Sequence, residues 1–436
     1  MSFPKYPAVK DSGVEWIGEV PRHWAVQPLK RHARLLTEKT ARRTHPVALE
    51  NIESWTGRFV TTETEFEGEG VAFEEADVLF GKLRPYLAKT LVADSSGEAV
   101  GDFLVMRPTA AAKAPFMGYQ LRRREVVSII DGSTFGSKMP RASWDFVGAM
   151  QMTLPPTNEQ DAIVTFLDCE TAKIDTLVEE QRRLIDLLNE KRQALISQAV
   201  TKGLNPNVPM KDSGVQWLGT VPAHWEVKSI RYIIDAIGDV DHFMPQSVEE
   251  GVPYLMTGDL KDLVSEVSLD DCKQVSHSDY LDLSKRIRTA KGDVVMARYA
   301  TIGTLMYVDV DVELLISYSC VTLKTDHSKM SGLYLFQYMK SDAFTQAVEH
   351  QVNTNTQGNV GINDLQTLKV AVPPVNEQDL IATFLASEKA KFDGLEAETE
   401  RAISLLRERR SALISAAVTG KIDVRDLAPQ PEAVAA

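Results

Sequence analysis

Basic and amide side chains are concentrated in a few short stretches of this sequence, and their types suit contacts with phosphates and base edges. Arginine and lysine bind phosphate oxygens, arginine pairs bidentately with guanine, and asparagine and glutamine pair bidentately with adenine. A basic triplet is more often a solvated helix face, and an Asn/Thr/Gly run is more often a loop, so the pattern indicates regions rather than single contacts. The candidate nucleic-acid-binding residues are Lys82, Arg84, Arg122, Arg123, Arg124, Lys138 and Arg141 in the first half, and Lys285, Arg286, Arg288, Arg298, Asn353, Asn355 and Gln357 in the second.

Motifs for catalysis are missing from the sequence. Residues 66–70, FEGEG, resemble the Phe-x-Gly-x-Gly motif that binds S-adenosylmethionine, but no apolar strand precedes them and no helix pattern follows. The sequence has neither a G-x-x-x-x-G-K-[ST] phosphate loop nor the nucleophile elbow of a hydrolase. Cys169, Cys272 and Cys320 lack the paired spacing of a zinc site. We therefore predict no catalytic residue and no metal site.

A long amphipathic stretch occurs twice in the sequence. Its two copies would have to position the regions that carry the candidate nucleic-acid-binding residues. Residues 155–201 and 373–419 align without a gap, and 29 of 47 positions are identical. Each copy begins with two prolines and an asparagine, Asn158 or Asn376, which are typical of a helix start with Asn as the cap. The pattern predicts one long helix per copy, of roughly 65 Å at ~1.5 Å per residue.

An apolar seam with heptad spacing runs along each predicted helix. A long helix with one apolar seam needs a partner, and we expect the two copies to pair antiparallel as a coiled coil. The alternative is that each helix packs only on its own domain. The predicted seam residues are Leu167, Ile174, Leu177, Leu184, Leu188 and Leu195 in the first copy, and Leu385, Phe392, Leu395, Leu406 and Leu413 in the second.

A shorter segment, which we name the tryptophan segment, is also duplicated. Residues 10–26 and 211–227 share 12 of 17 positions, including two tryptophans and one histidine in each copy. We interpret these aromatic residues and His23 and His224 as structural. Because the second copy directly follows the first long helix, the architecture is circular in principle. The chain ends should lie near each other at the end of the second helix.

Two variable regions, residues 27–154 and 228–372, lie between the tryptophan segments and the long helices. Brief apolar runs broken by Gly, Asp and Pro predict strands, and Asp77 and Asp293 precede runs that we interpret as equivalent strand pairs. Each region also has one helix-like stretch, around 115–130 and 331–351, followed by a polar loop. The expected fold is α+β, with a mixed sheet in each region.

Composition excludes several classes of protein. The 436 residues carry a formal net charge of −13, which argues against a chain that binds nucleic acid strongly unaided. The sequence has no run of eighteen apolar residues and no signal-peptide pattern, so we expect no membrane association. With free cysteines expected, the predicted location is the cytoplasm.

The duplicated motifs KDSGVEWIGEVPRHW, PPxNEQxxIxxFLxxExAKxD and ALISxAVT resemble those of the specificity subunits of type I restriction-modification systems, over the whole chain. The resemblance implies two target-recognition domains separated by two conserved helices in an antiparallel coiled coil, with an internal pseudo-twofold duplication. Each domain would read one half of a bipartite, asymmetric site in double-stranded DNA, and the helix pair would set the unread spacer.

Partners and cofactors also follow from the resemblance. Two methyltransferase subunits would dock along the helices and methylate adenine, and restriction subunits would translocate and cut DNA in defence against phage. S-adenosylmethionine, ATP and Mg would belong to those partners, and this chain would bind no cofactor and would not itself be an enzyme. The alternatives are a non-reading structural adaptor for a multisubunit complex, and a stand-alone methyltransferase, whose motifs are missing.

The predicted domain boundaries follow the order of these segments. The first target-recognition domain with its tryptophan segment is expected at 1–154 and the second at 204–372. The conserved long helices are expected at 155–203 and 373–425, and residues 426–436 as a disordered tail.

Overall fold

The computed structural model describes residues 3–41, 44–62, 69–134, 139–299, 301–351 and 359–427. The chain divides into two compact units: unit 1 comprises Met1–Gln181 and Glu400–Ala436, and unit 2 comprises Arg182–Thr399. Each unit contains one variable region and part of each long helix. This division crosses the boundaries predicted from chain order, because residues of the helices make most of their contacts with the domain beside them.

Unit 1 begins with short strands and three short helices. The helices are α1 (Ala114–Leu121), α2 (Arg124–Gly132) and α3 (Trp144–Ala149). The strands are β1 (Val9–Asp11), β2 (Glu19–Pro21), β3 (Ala25–Pro28), β4 (Ala33–Leu36), β5 (Lys39–Thr40), β6 (Pro46–Val47), β7 (Gly70–Phe73), β8 (Val78–Gly81), β9 (Thr90–Val92), β10 (Gly97–Val100), β11 (Phe103–Pro108) and β12 (Gln151–Leu154).

Helix α4 (Thr157–Lys202) starts in unit 1 and continues into unit 2, and α9 (Val375–Val418) starts in unit 2 and ends in unit 1. Between them lie α5 (His277–Leu283), α6 (Gly332–Met339), α7 (Asp342–Gln351) and α8 (Ile362–Thr367). The strands of unit 2 are β13 (Met210–Asp212), β14 (Thr220–Pro222), β15 (Glu226–Ser229), β16 (Ile234–Gly238), β17 (Val252–Leu255), β18 (Lys273–Val275), β19 (Val294–Ala297), β20 (Leu305–Tyr307), β21 (Leu315–Ile316), β22 (Cys320–Thr325) and β23 (Lys369–Val372).

Equivalent strands form the central sheet of each unit, although their sequences have diverged. The order is β4-β11-β8-β9 in unit 1 and β16-β22-β19-β20 in unit 2, and all pairs are antiparallel. A second sheet in each unit contains a parallel pair, β10 with β6 and β17 with β21. The predicted mixed α/β fold is therefore confirmed in each unit. The same strand order in both units confirms the predicted duplication.

The turns before β8 and β19 confirm the predicted equivalence of Asp77 and Asp293. The carboxylate of Asp77 accepts a hydrogen bond from Glu74 N at 2.8 Å, and that of Asp293 accepts one from Ala290 N at 2.8 Å. Each aspartate also binds a cation on the neighbouring strand, Arg107 at 2.8 Å or Lys324 at 2.6 Å. Burial raises the pKa of Asp293, and the hydrogen bonds from Lys324 and Ala290 N oppose that rise.

Each predicted helix-like stretch is a pair of short helices. In unit 2 the break falls at Ser341, whose hydroxyl accepts a hydrogen bond from Phe344 N and caps α7. In unit 1 it falls at Arg123, whose backbone is extended and whose guanidinium lies over the Trp16 ring, 5.3 Å from its centroid. One helix ends and the next begins at each of these two residues.

The long helices pair antiparallel within unit 1. Ile163, Leu167 and Ile174 of α4 share an apolar cluster with residues 413–418 of α9. Asp175 accepts a hydrogen bond from Arg410 Nε at 2.9 Å. The start of α4 therefore lies beside the end of α9, as predicted.

The same antiparallel pairing recurs within unit 2 with the other halves of the helices. Ile196 and Val200 of α4 share a cluster with Ile381 and Leu385 of α9. Arg192 pairs with Asp393 at 2.9 Å and with Glu396 at 3.2 Å. Each half of a helix also packs on its own domain, so both kinds of packing considered from the sequence occur together.

The predicted seam residues differ in burial along the helices. Leu167, Ile174, Leu385, Phe392 and Leu413 are buried, and Leu188, Leu195 and Leu406 are half-buried. Leu177, Leu184 and Leu395 are 44%, 42% and 48% exposed, whereas Val178 and Ile403 are buried instead. In a straight helix with 3.6 residues per turn, positions spaced seven apart rotate by ~20° per heptad. Heptad positions near the middle of a long helix therefore no longer lie on its buried face.

Glutamine fastens the start of each helix to its domain. The Gln160 side chain donates to Ala111 O and Pro155 O and accepts from Lys113 N, all within 2.9 Å. Gln378 makes the equivalent bonds to Lys329 O, Pro373 O and Ser331 N, all at 2.8 Å. The prediction that Asn158 and Asn376 cap the helices is wrong, because both lie inside the first turn and the prolines precede it.

The preceding glutamates bind the tryptophan segments. Glu159 accepts hydrogen bonds from Tyr6 Oη at 3.0 Å, His23 Nε2 at 2.6 Å and Trp24 Nε1 at 3.0 Å. Glu377 accepts one from His224 Nε2 at 2.8 Å. The histidines are therefore structural, as expected.

The chain ends meet beside the end of α9, as expected. Asp423 N donates to Pro4 O at 2.8 Å, and the Arg425 guanidinium lies 4.8 Å from the centre of the Tyr6 ring. Gly420 ends α9 with φ +72°, and a Cβ there would lie 2.3 Å from Pro21. Gly203 ends α4 with φ +75° and packs against Trp225 in the equivalent place. One junction is continuous and the other is held by non-covalent contacts.

A chain permuted at the continuous junction should therefore still fold. We expect a chain opened near Asn205, with a short glycine-rich linker joining the present ends, to unfold cooperatively near the temperature of the parent. Circular dichroism melting measures this. A second permutant opened at Glu180, inside α4, is the control and should lose helix content. Failure of the Asn205 permutant to fold would contradict the circular architecture.

Candidate nucleic-acid interface

The loop between β8 and β9 in unit 1 carries two of the predicted residues, Lys82 and Arg84. Two hydrogen bonds join it to the end of the polar loop that precedes α3. Ala142 N donates to Lys82 O at 2.9 Å, and Arg84 N donates to Pro140 O at 3.0 Å. Leu83 and Arg141 also form an isolated β-bridge. Two regions predicted separately from the sequence thus lie together, and we name residues 82–88 with 139–142 the first loop pair.

Asp102 neutralises two cations of the first loop pair. Arg141 Nη2 lies 2.9 Å from Asp102 Oδ2, and Lys82 Nζ lies 3.7 Å from Asp102 Oδ1. Lys82 N also donates to Asp102 O at 2.9 Å. One carboxylate thereby fixes both loops in a single arrangement.

Arg84 differs from these two residues because none of the described residues pairs with its side chain, which is exposed. Its backbone is left-handed, with φ 51° and ψ 61°, and the backbone of Ala88 at the far side of the loop is left-handed as well. Tyr86 and Met139 lie close in sequence to these bonded positions and are 46% and 54% exposed. The first loop pair therefore displays a free guanidinium together with large apolar side chains.

Unit 2 has an equivalent junction with different side chains. Val360 N donates to Arg298 O at 3.4 Å, which corresponds to the bond between Ala142 and Lys82. We name the described residues 298–299 and 301–304, together with 359–361, the second loop pair. Arg298 is 6% exposed, and its guanidinium binds the Asp239 carboxylate and, at 3.4 Å, Val360 O. This arginine holds loops together and is not available to a ligand.

The other predicted basic residues of unit 2 lie at the surface, each beside a carboxylate. Lys285 pairs with Asp282 at 2.6 Å and Arg288 with Glu313 at 2.8 Å. Arg286 lies 3.4 Å from Asp239 and belongs to the same cluster as Arg298. Exposed pairs of this kind contribute about 0–1 kcal/mol, so a phosphate could replace the carboxylate at low cost.

The basic triplet of unit 1 lies mainly in the interior. Arg122 donates to Gly118 O and Thr56 O, and Arg123 is 2% exposed. Burial, opposed by the nearby Glu125 carboxylate, lowers the pKa of Arg123. Arg124 is exposed at the start of α2. We therefore leave Arg122, Arg123 and Arg298 out of the interface proposed below.

Four predicted residues lie outside the described part of the chain, namely Lys138, Asn353, Asn355 and Gln357. The same holds for residues 66–68 of the FEGEG motif, and for most of the predicted tail, 428–436. Among the described residues, no group of His, Cys, Asp and Glu could hold a metal ion. No helix in the described ranges is long and apolar enough to cross a membrane.

Comparison with known proteins adds independent information to this geometry. Residues 222–403 match the family described as type I restriction modification DNA specificity domain. The EcoKI specificity subunit of Escherichia coli K12 is 21% identical, and the alignment covers 96% of this chain and 93% of that subunit. Over nearly its whole length, this chain is thus similar to a specificity subunit of a type I restriction enzyme, and its second half matches the specificity-domain family.

Other relatives in the family match over shorter lengths. The EcoBI specificity subunit of Escherichia coli is 20% identical over 65% of this chain. A putative type I specificity subunit of Methanocaldococcus jannaschii, MjaX, is 23% identical over 63% of this chain. The chain spans 60% of the length of each of these two relatives.

Solved structures of the family share the fold. One chain from a study of complex assembly and conformational transition in a type I R-M system has a TM-score of 0.71 at 16% identity, and the match covers 92% of this chain and 98% of that one. The HsdS subunit of Thermoanaerobacter tengcongensis has a TM-score of 0.53, also at 16% identity, with the same two coverages. At this identity the likeness establishes the fold only.

Sequence reasoning missed two residues that organise the loop pairs. Asp102 and Asp239 were not singled out, since an aspartate gives no sequence signal that it binds an arginine dozens of residues away. The arginine at position 298 gave a weak signal, because it directly follows a four-residue apolar strand. A charged residue in that position is at the sheet edge, where burial depends on a partner.

Removing Asp239 should destabilise unit 2, because it leaves the Arg298 guanidinium buried without a counter-ion. We expect Asp239→Ala to lower the free energy of unfolding by about 3 kcal/mol, whereas Asp239→Leu with Arg298→Met should cost less than the single change. Urea denaturation measures both. Asp241→Ala is the matched control, since Asp241 is 73% exposed and lies 3.6 Å from Arg286. Equal losses in all three variants would show that Arg298 does not depend on Asp239.

Proposed function

We propose that this chain is the DNA sequence-specificity subunit of a type I restriction-modification complex. Each variable region reads one half of a bipartite, asymmetric site in double-stranded DNA. Partner subunits perform the chemistry: two methyltransferase subunits methylate adenine with S-adenosylmethionine, and restriction subunits translocate and cleave DNA with ATP and Mg. The chain acts in the cytoplasm as a recognition subunit and is not itself an enzyme.

One observation carries this proposal: the same loop junction occurs on both copies of a duplicated frame, with unlike side chains. The bond from Ala142 N to Lys82 O has its counterpart in the bond from Val360 N to Arg298 O. The frame is conserved between the copies, whereas the displayed residues differ. Such a pair of readers recognises two different short sequences, so an asymmetric target results from a repeated scaffold.

The charge of the chain supports a division of the binding energy among subunits. With a net charge of −13, the chain cannot neutralise many phosphates by itself. Several basic side chains of the loop pairs and their surroundings already have carboxylate partners, such as Lys82, Arg141 and Arg288. Methyltransferase subunits that enclose the DNA would contribute most of the binding affinity, while this chain determines at which sequence the complex binds.

Exposed leucines on the paired helices support docking of those subunits along the helices. In unit 1, Leu177 and Leu405 are 44% and 56% exposed, and in unit 2, Leu184, Leu187 and Leu395 are 42%, 51% and 48% exposed. Leucines at these positions contribute little to the packing of this chain. A partner helix that covered them would gain about 25 cal/mol for each Å² of apolar surface buried.

The length and continuity of the helices support a role in setting the spacer. Helix α4 has 46 residues and α9 has 44. At 1.5 Å per residue each extends for about 65–70 Å. Within both units the two helices are antiparallel and ion-paired, so a change in helix length should alter the distance between the sequences that are read.

Exchange of one variable region should change one half of the target. When residues 27–154 are replaced by the corresponding region of another family member, we expect one half-site to change and the other to remain. Sequencing of modified adenines in cells with and without the gene identifies the target in each case. An absence of gene-dependent methylation with active partner subunits would contradict reading and favour an adaptor. A change in both halves would contradict modular reading.

Lengthening the helix should change the spacer and neither half-site. Four residues inserted near Glu180 add about 6 Å and rotate the following residues by about 40° beyond a full turn. We expect adenine methylation to move to sites with a longer gap. Four residues inserted near Asn205, in the linker after α4, are the control and should leave the gap unchanged. The same gap in both variants would rule out a spacer set by the helix.

A further inference from the structure

We propose that Arg84 is a base-reading residue of unit 1, and that it takes the O6 and N7 edge of a guanine in the major groove. The inference rests on the proposed function and assigns one contact within it. Tyr86 and Met139 would lie against the neighbouring base pairs. The assignment comes from the backbone conformation, the hydrogen bonds and the side-chain environment of the first loop pair.

Backbone conformation is the first step of the argument. Arg84 and Ala88 both have positive φ, 51° and 50°, although neither is glycine. A left-handed conformation costs a non-glycine residue roughly 1–2 kcal/mol and persists only where neighbouring contacts enforce it. Here Pro85 is buried between the two residues, and a 3-10 turn joins them. The loop thus holds Arg84 in a conformation that the chain would not otherwise choose.

Hydrogen bonds from three sides supply the enforcing contacts. Gly81 N donates to Lys89 O at 2.8 Å and closes the hairpin, and Leu87 N donates to Arg84 O at 3.0 Å. Arg84 N donates to Pro140 O at 3.0 Å. On the opposite side, Lys89 Nζ donates to Leu49 O at 2.7 Å. A side chain on a fixed backbone loses less entropy on binding, which favours a directional contact over a diffuse one.

The state of the guanidinium separates Arg84 from its neighbours. Lys82 and Arg141 share Asp102, and Arg107 is bound by Asp77 and Glu74. Arg84 is exposed and has no partner among the described residues. Within the described part of the chain, the nearby carboxylates therefore bind the cations that shape the loop, and none of them binds Arg84.

The surroundings favour a base edge over a phosphate. Two large side chains beside this site are exposed: Tyr86, two residues after Arg84, and Met139, which precedes the Pro140 whose carbonyl accepts a hydrogen bond from Arg84 N. Apolar groups of this kind contact base edges and thymine methyl groups, whereas phosphate sites are built from amides, hydroxyls and further cations. The planar fork of arginine matches the two acceptors of guanine, and each good bidentate pair discriminates roughly 10- to 100-fold between bases.

In unit 2 the position that matches Arg84 in the sequence is Ala300, whose side chain has no guanidinium for such a contact. The residue corresponding to Lys82 is Arg298, which is buried against Asp239. Gly303, with φ +86°, stands near the end of that loop in place of the strained Ala88 region. The guanine contact therefore belongs to one half-site.

The test uses the full chain assembled with its methyltransferase partners and a duplex library in which each position of both half-sites is randomised. We expect the parent complex to require G·C at one position of one half-site. Arg84→Gly removes the side chain without strain in the left-handed backbone, and it should relax that requirement roughly 10- to 100-fold. Arg84→Lys keeps the charge but lacks the fork, so it should relax the same position while the salt dependence stays unchanged.

The controls and contrary outcomes are distinct. Arg34→Ala, at an exposed position on β4 of the same sheet, should leave the base preferences unchanged. If Arg84→Gly weakens binding uniformly across sequences and lowers the salt slope by about one, while Arg84→Lys restores both, Arg84 binds phosphate and the inference is overturned. The proposed function would survive that result. A parent complex without any base preference would overturn the proposed function itself. Thermal melting of each variant confirms that the chain is folded.

Discussion

The anchoring of each long helix to its own domain is the constraint on which the rest of the structure depends. Gln160 and Gln378 each use the whole side-chain amide, donating two hydrogen bonds and accepting one. Both side chains are completely buried. A buried amide with all these bonds formed favours one geometry, because a shift of the domain on the helix would leave several polar groups unpaired at once. The direction of the helix therefore fixes the placement of the loops on the domain.

The contact between the helix start and the tryptophan segment has more hydrogen bonds in unit 1 than in unit 2. Glu159 is 5% exposed and accepts hydrogen bonds from three side chains, including the indole of Trp24. Its desolvation favours the neutral acid, but the bonds from Trp24, His23 and Tyr6 outweigh that effect and lower its pKa. In unit 2, Glu377 is bonded to His224, and the buried Trp225 Nε1 has no partner within the described residues. The contact in unit 1 lies where the two ends of the chain meet. Its additional donor, Tyr6, belongs to the N-terminal segment that packs there.

Local and periodic features of this fold could be predicted from the sequence. The repeat of 47 residues indicated two long helices, and their pairing followed from the need to cover an apolar seam. The antiparallel direction followed from a twofold symmetry between the two halves of the chain. Asp77 and Asp293 were identified as equivalent because each precedes a short apolar run. The failures have a common origin in tertiary contacts. Arg122 and Arg123 gave the pattern of a basic surface patch, but their burial depends on Thr56 O and on the Trp16 ring, which are remote in sequence. Leu177 and Leu395 fit the heptad, but the drift of a straight helix turned them towards solvent.

The difference between the two loop pairs indicates how such a frame can change its target without losing stability. In unit 1 a single half-buried carboxylate, Asp102, holds Lys82 and Arg141, and Arg84 has no partner among the described residues. In unit 2 a buried ion pair, Arg298 with Asp239, holds the corresponding loop. Both solutions preserve the backbone bond from the polar loop to the residue after the strand. Because that bond involves only main-chain atoms, it tolerates replacement of every side chain around it. Selection can therefore alter the displayed residues of either loop pair, while the main-chain junction and the glutamine anchor keep them in place.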